Sequence, residues 1–96
     1  MGKLNGQVAI ITGGARGIGE GICKVFCNEG AMVALWDIMD EGQNTADGIK
    51  DEGGKIIFQN VNVSDQSSVD KAVEKLISEY GKIDILINNA GIIRDR

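Results

Sequence analysis

The residues that invite a chemical reading are glycines at the end of an apolar run. The segment Thr12-Gly13-Gly14-Ala15-Arg16-Gly17-Ile18-Gly19 joins a continuously apolar stretch, residues 8–12, to a helical pattern. A diphosphate carries negative charge and many acceptor oxygens. Unpaired N–H groups at the first turn of a helix, reinforced by the helix dipole, can meet it. In that reading Gly13 permits the turn, Gly17 lets the backbone approach the ligand, and Gly19 lets the helix pack close to the sheet. The spacing is G-x-x-x-G-x-G, which differs from the general dinucleotide fingerprint. It is not a P-loop either: counted from Gly14, the run reaches Gly19-Glu20-Gly21 where a nucleoside triphosphate site needs Gly-Lys-Ser or Gly-Lys-Thr. The alternative, a purely structural turn, is weakened by the placement between this strand and this helix.

Asp37 supplies the second clue. It closes the second apolar run, residues 32–36, eighteen residues beyond Gly19. A carboxylate at the end of the strand beside the first can accept hydrogen bonds from both hydroxyls of an adenosine ribose. The same carboxylate would repel a 2′-phosphate, which favours NAD over NADP. Ile38 follows it and joins the cofactor-binding set. A solvated strand-end aspartate is the alternative. Arg16 pulls the other way, because its guanidinium could reach a 2′-phosphate; it reads equally well as a surface arginine in a loop.

Four strands and three helices must position these groups. The spacing predicts strands over 8–12, 32–36, 55–59 and 83–87. Helices are expected from the glycine loop to about residue 29, over 40–51, and from a cap at Ser64 or Asp65 to residue 80. The first helix is expected to face inward with Ile18, Ile22, Val25 and Phe26, the third with Val69, Val73, Leu76, Ile77 and Tyr80. Cys27 is expected to face away from the stripe of the first helix. Strands apolar on both sides need helices on both faces. The fold class is therefore α/β, a Rossmann-type parallel sheet with flanking helices in the order 3-2-1-4. The first two helices are expected on one face and the third on the other. Residues 1–96 read as one incomplete NAD(P)-binding domain, truncated after strand four, which would then be an exposed apolar edge.

Composition narrows the function classes. The chain has 14 acidic and 10 basic residues, a formal charge of −4, with no block of either sign. That argues against nucleic acid as a partner. Apolar runs are too short for a membrane span or an export signal. Gly2 lacks the Ser or Thr four residues on that myristoylation requires, Gly6 standing there instead. Cys23 and Cys27, without histidine or further cysteines, fall short of a zinc site and read as reduced thiols in a cytoplasmic protein.

The glycine segment, together with Asn88-Asn89-Ala90-Gly91 after the fourth strand, closely resembles the short-chain dehydrogenase/reductase family. The resemblance covers the whole chain but only the first part of a family member. It implies that Ile18 borders the diphosphate and nicotinamide end, that Asn62 and Val63 border the adenine, and that Asn88, Ala90 and Gly91 line the cofactor. Asn88 and Asn89 would also steady the central strands. Members usually carry aspartate where this chain has Asn62, which puts the adenine contact in doubt. The closing run from Asn88 to Asp95 is similar to bacterial 3-oxoacyl-[acyl-carrier-protein] reductases, many of which prefer NADPH. Sugar-alcohol, hydroxysteroid and 3-hydroxyacyl dehydrogenases stay open. The resemblance implies hydride transfer on an alcohol/carbonyl pair of a small-molecule substrate by a full-length homo-oligomer. The family's catalytic serine, tyrosine and lysine cannot be assigned here. Tyr80 has Asp84, not lysine, four residues on and is read as core. The 96 residues alone are expected to be inactive. The alternative class is a sensor or scaffold that binds the dinucleotide without turnover.

Overall fold

The computed structural model describes residues 2–89. Ala90 and Gly91 of the expected cofactor set lie outside them. The elements alternate: β1 (Val8–Thr12), α1 (Gly17–Asn28), β2 (Met32–Asp37), α2 (Gly42–Asp51), β3 (Lys55–Asn60), α3 (Gln66–Tyr80) and β4 (Ile85–Ile87). The strands form one parallel sheet in the order β3-β2-β1-β4. Two cores follow from the alternation of side chains along each strand. Ile11, Val33, Leu35 and Ile56 meet Cys23 of α1 and Ala46 and Ile49 of α2 on one face. Ile10, Ala34 and Trp36 meet Ala72 and Leu76 of α3 on the other. Leu76 is fully buried, so truncating it to alanine would cost about 2–5 kcal/mol.

Register places the candidate groups together. Thr12 pairs with Trp36, so Asp37 extends one residue beyond the end of β1, level with the glycine loop. The amides of Gly13 and Gly14 both donate to the Trp36 carbonyl, at 2.8 and 3.3 Å. The loop is thus tied to β2 as it leaves β1.

The short strand β4 begins two residues later than expected. Its approach is fixed at Asp84, whose amide donates to the Val8 carbonyl at 2.8 Å. The Asp84 carboxylate in turn accepts from the Val8 amide at 2.8 Å, and Lys82 Nζ lies 3.1 Å from the same oxygen. The bond from the Val8 amide, then Lys82, holds the Asp84 carboxyl below its ordinary value. Among the described residues β4 pairs only with β1.

The helix faces differ from the expected ones in three places. On α1, Ile18 and Val25 are 68% and 57% exposed. The buried face is instead Gly19 and Cys23, flanked by Ile22, Phe26 and Cys27. The axis is rotated by roughly one residue's turn, ~100°, because Gly19 must contact the glycine loop. Cys27 therefore packs toward the core rather than away from it. On α3, Ala72 lies inward with Leu76, while Ile77 and Tyr80 are exposed. Ile77 sits on the flank of the stripe. Tyr80 occupies the last turn and lines an open cleft with Val8 and Met32 at the starting ends of the strands; it is not core.

Candidate functional site

The three helices begin in different ways, and the difference singles out α1. Asp65 caps α3, accepting from the Ser67 amide at 3.0 Å. The first amides of α2 donate to carbonyls of the preceding turn, Gly42 to Met39 and Gln43 to Asp40, both at 3.0 Å. At α1 the N-cap is Arg16, extended, with no side chain reaching the turn. Its opening amides, at Gly17, Ile18 and Gly19, have no acceptor four residues back within the helix. Arg16, Gly17 and Ile18 are exposed. The bare amides of Gly17 and Ile18 and the positive end of the helix dipole thus lie at an exposed turn, with the buried Gly19 behind them, the arrangement an anionic group requires.

Glycine is needed here for two distinct reasons. Gly13 and Gly17 have φ of 66° and 63°, a region that L-residues seldom enter. A Cβ on Gly17 would meet nothing within 4 Å, so space is left beside it. Gly19 serves close approach instead: a Cβ there would lie 2.0 Å from the Gly13 carbonyl oxygen and 2.8 Å from Asn89 Nδ2.

The floor of the loop is built from the ends of β1 and β4. Asn89, 1% exposed, donates from Nδ2 to the Gly13 carbonyl at 3.1 Å. Its Oδ1 has no partner among the described residues. The Thr12 hydroxyl lies 3.3 Å from Asn88 Oδ1 and 3.4 Å from the Ile87 carbonyl. Asn88 itself is exposed at the end of the sheet. Asn89 thus supports the loop that Gly19 packs upon.

Asp37 sits beside this loop and grips it. One carboxylate oxygen accepts from the Ala15 amide at 3.0 Å, the other from the Met39 amide at 3.0 Å. A carboxylate has about four acceptor positions, so lone pairs remain for two hydroxyl donors. Next to it a cleft of about 140 Å³ opens between Gly13, Asp37, Ile38, Asn62 and Val63. The exposed Ile38 and Val63 give it apolar walls, suited to a flat aromatic ring. Asn62 has its Oδ1 engaged by the Ser64 amide at 3.0 Å and the Ser64 hydroxyl at 2.7 Å. Its acceptor oxygen therefore serves a local turn, leaving the NH₂ group as a donor without a partner among the described residues.

Sequence reasoning brought Gly13, Arg16, Gly17, Ile18, Gly19, Asp37, Ile38, Asn62, Val63 and Asn88 to this end of the sheet. It missed Ala15, buried between Asp37 and α2, and Thr45, whose hydroxyl donates to the Ala15 carbonyl. No residue type or spacing announces a contact across thirty positions. A larger cleft of about 290 Å³ at the opposite end, with Lys55, Tyr80 and Lys82, lacks a helix N-terminus and adjoins none of these groups.

Residues 7–96 match the sequence model of the family described as short chain dehydrogenase. The chain belongs to that family. Among curated relatives of the family, the chain is 47% identical over 94 residues to the 3-oxoacyl-[acyl-carrier-protein] reductase FabG of Chlamydia muridarum, covering 96% of this chain and 38% of that protein. It is 46% identical over 94 residues to the oxidoreductase UcpA of Salmonella typhimurium, covering 98% of this chain and 36% of that one. The chain thus spans less than two fifths of the length of these relatives. Of solved structures, a hydroxysteroid dehydrogenase from Escherichia coli superposes with a TM-score of 0.84 at 35% identity, covering 88% of this chain and 37% of that one. A citronellol catabolism dehydrogenase from Pseudomonas aeruginosa gives 0.85 at 30% identity, covering 88% and 36%.

Proposed function

We propose that this segment is the cofactor-binding part of an NAD-linked oxidoreductase acting on an alcohol/carbonyl pair. The observation that carries the reading is the uncapped, glycine-lined first turn of α1 beside the Asp37 carboxylate. In this reading the exposed amides of Gly17 and Ile18 hold the diphosphate, and Gly19 lets the helix carry them close to the loop. Asp37 receives the ribose hydroxyls, and the cleft walled by Ile38 and Val63 takes the adenine. Asn62 contributes through its NH₂ group rather than an acceptor, and Arg16 flanks the diphosphate. Asn88, Ala90 and Gly91 would line the remainder of the cofactor. NAD is preferred over NADP because the Asp37 charge opposes a 2′-phosphate.

Held there, a nicotinamide dinucleotide would supply the hydride chemistry that interconverts an alcohol and a carbonyl. This segment's residues would hold the negative diphosphate and the adenosine end in place. The proton donor for the substrate oxygen is not Tyr80, which stands at the other end of the sheet. The substrate class we propose is a 3-oxoacyl or related carbonyl compound, by the likeness to the FabG reductase. We further propose a cytoplasmic, homo-oligomeric full-length protein; among the described residues no helix is long and apolar enough to cross a membrane.

Steady-state kinetics of the full-length polypeptide with NAD and NADP test the proposal. Turnover with NAD exceeding that with NADP is expected. NADP preference would overturn the cofactor choice, and dinucleotide binding without turnover on any alcohol or carbonyl would favour a sensor or scaffold.

A further inference from the structure

We infer that Thr45 on α2 is a positioning residue for the dinucleotide site, fixing the peptide between Ala15 and Arg16 from which the first turn of α1, with the amides proposed to meet the diphosphate, begins. The inference rests on the dinucleotide reading above. Ala15 is buried and bound at both its backbone groups. Its amide donates to Asp37 Oδ2 at 3.0 Å, and its carbonyl accepts from Thr45 Oγ1. A threonine inside a helix ordinarily turns its hydroxyl back on the carbonyl four residues earlier. That alternative exists here, but the Glu41 carbonyl is 3.5 Å away, farther than Ala15. A hydroxyl has one proton to give, and the shorter contact takes it. Thr45 therefore links α2 to the glycine loop.

The consequence lies in the next amide. A trans peptide is planar, so its N–H points opposite to its C=O. Turning the Ala15 carbonyl toward α2 aims the N–H of Arg16, the N-cap of α1, away from α2, and so sets the direction in which the chain enters the first turn. The same restraint holds Ala15 where its own amide orients the Asp37 carboxylate. One hydroxyl thus couples the group that selects the ribose to the turn that faces the phosphates.

Thr45→Val keeps the β-branched shape and removes the donor. Thr45→Ala removes it while raising helix propensity. Thr45→Ser keeps it. In the full-length polypeptide, calorimetric titration with NAD should show Kd raised about five- to tenfold by both Val and Ala, the scale of one lost hydrogen bond. Thr45→Ser should match wild type. KM for NAD should rise with kcat within twofold. Wild-type affinity in either Val or Ala would make the effect one of helix stability and overturn the inference, as would a loss in Ser equal to that in Val. A wild-type protein that binds no NAD would instead overturn the functional reading itself.

Discussion

Replacing Gly19 with alanine adds one methyl group where α1 touches the glycine loop. The new Cβ would lie 2.0 Å from the Gly13 carbonyl oxygen, whereas ordinary contact begins at 3.4 Å, so backbone must retreat by about 1.4 Å. The carbonyl cannot retreat without disturbing the bond it accepts from Asn89. The helix cannot retreat without losing Cys23 from the core. Overpacking of this kind costs about 1–3 kcal/mol of stability. Because about 1 Å of misplacement in a binding constellation can cost as much as a hundredfold, NAD affinity should fall ten- to hundredfold. Gly21→Ala is the control: it lies in the same helix, exposed, with nothing within 4 Å of an added Cβ. It should stabilise the protein by about 0.5–1 kcal/mol and leave affinity unchanged. Thermal unfolding and NAD titration of both variants decide the matter. A Gly19→Ala protein with wild-type midpoint and affinity would refute the close approach as described.

Three further outcomes follow from particular groups. Asp37→Ala should lower the NAD to NADP preference, measured as the ratio of kcat/KM values, by about tenfold or more, since roughly 1.4 kcal/mol of charge repulsion is removed for each factor of ten; an unchanged ratio counts against its role at the ribose. Asp84 has a folded-state pKa below its ordinary 3.8, so its contribution is present above 3.8 and lost as pH falls through the lowered value. Denaturant unfolding at acid pH should show a shallower pH dependence in Asp84→Asn, and an identical slope would remove Asp84 from the account of how β4 is held. Burial, then Cys27 and Glu20, pushes the Cys23 thiol up to about 12; iodoacetamide at pH 8 should leave it unmodified in the folded protein and alkylate it in denaturant, and prompt modification of the native state would contradict its burial.

The topology was legible because each strand and helix carried its own signal. Residues 8–11 are apolar throughout because β1 is buried on both faces, and glycines mark the end of β1 and of each helix, at Gly13, Gly30, Gly53 and Gly81. The position of Asp37 followed from the end of an apolar run. The axis of α1 was not legible. Ile22 and Phe26 belong to both the expected and the observed face, so hydropathy fitted two neighbouring axes. The residue that decides between them, Gly19, has no side chain to count. Tyr80 fits the period of α3 but falls at its last turn, where the sheet no longer lies beneath it. The role of Asn62 was partly readable, since an asparagine two residues before serine can close a local turn. Thr45 and Ala15 gave no sign, because their bond joins backbone to hydroxyl across separate elements.

Amide-resolved NMR during titration with ADP-ribose tests the central claim most directly, since that molecule holds the diphosphate and adenosine ribose without the nicotinamide. The amides of Gly17 and Ile18, with Ala15 beside Asp37, should move first and farthest in the full-length polypeptide. Saturable shifts confined to the cleft of Lys55, Tyr80 and Lys82, with those amides unmoved, would contradict it.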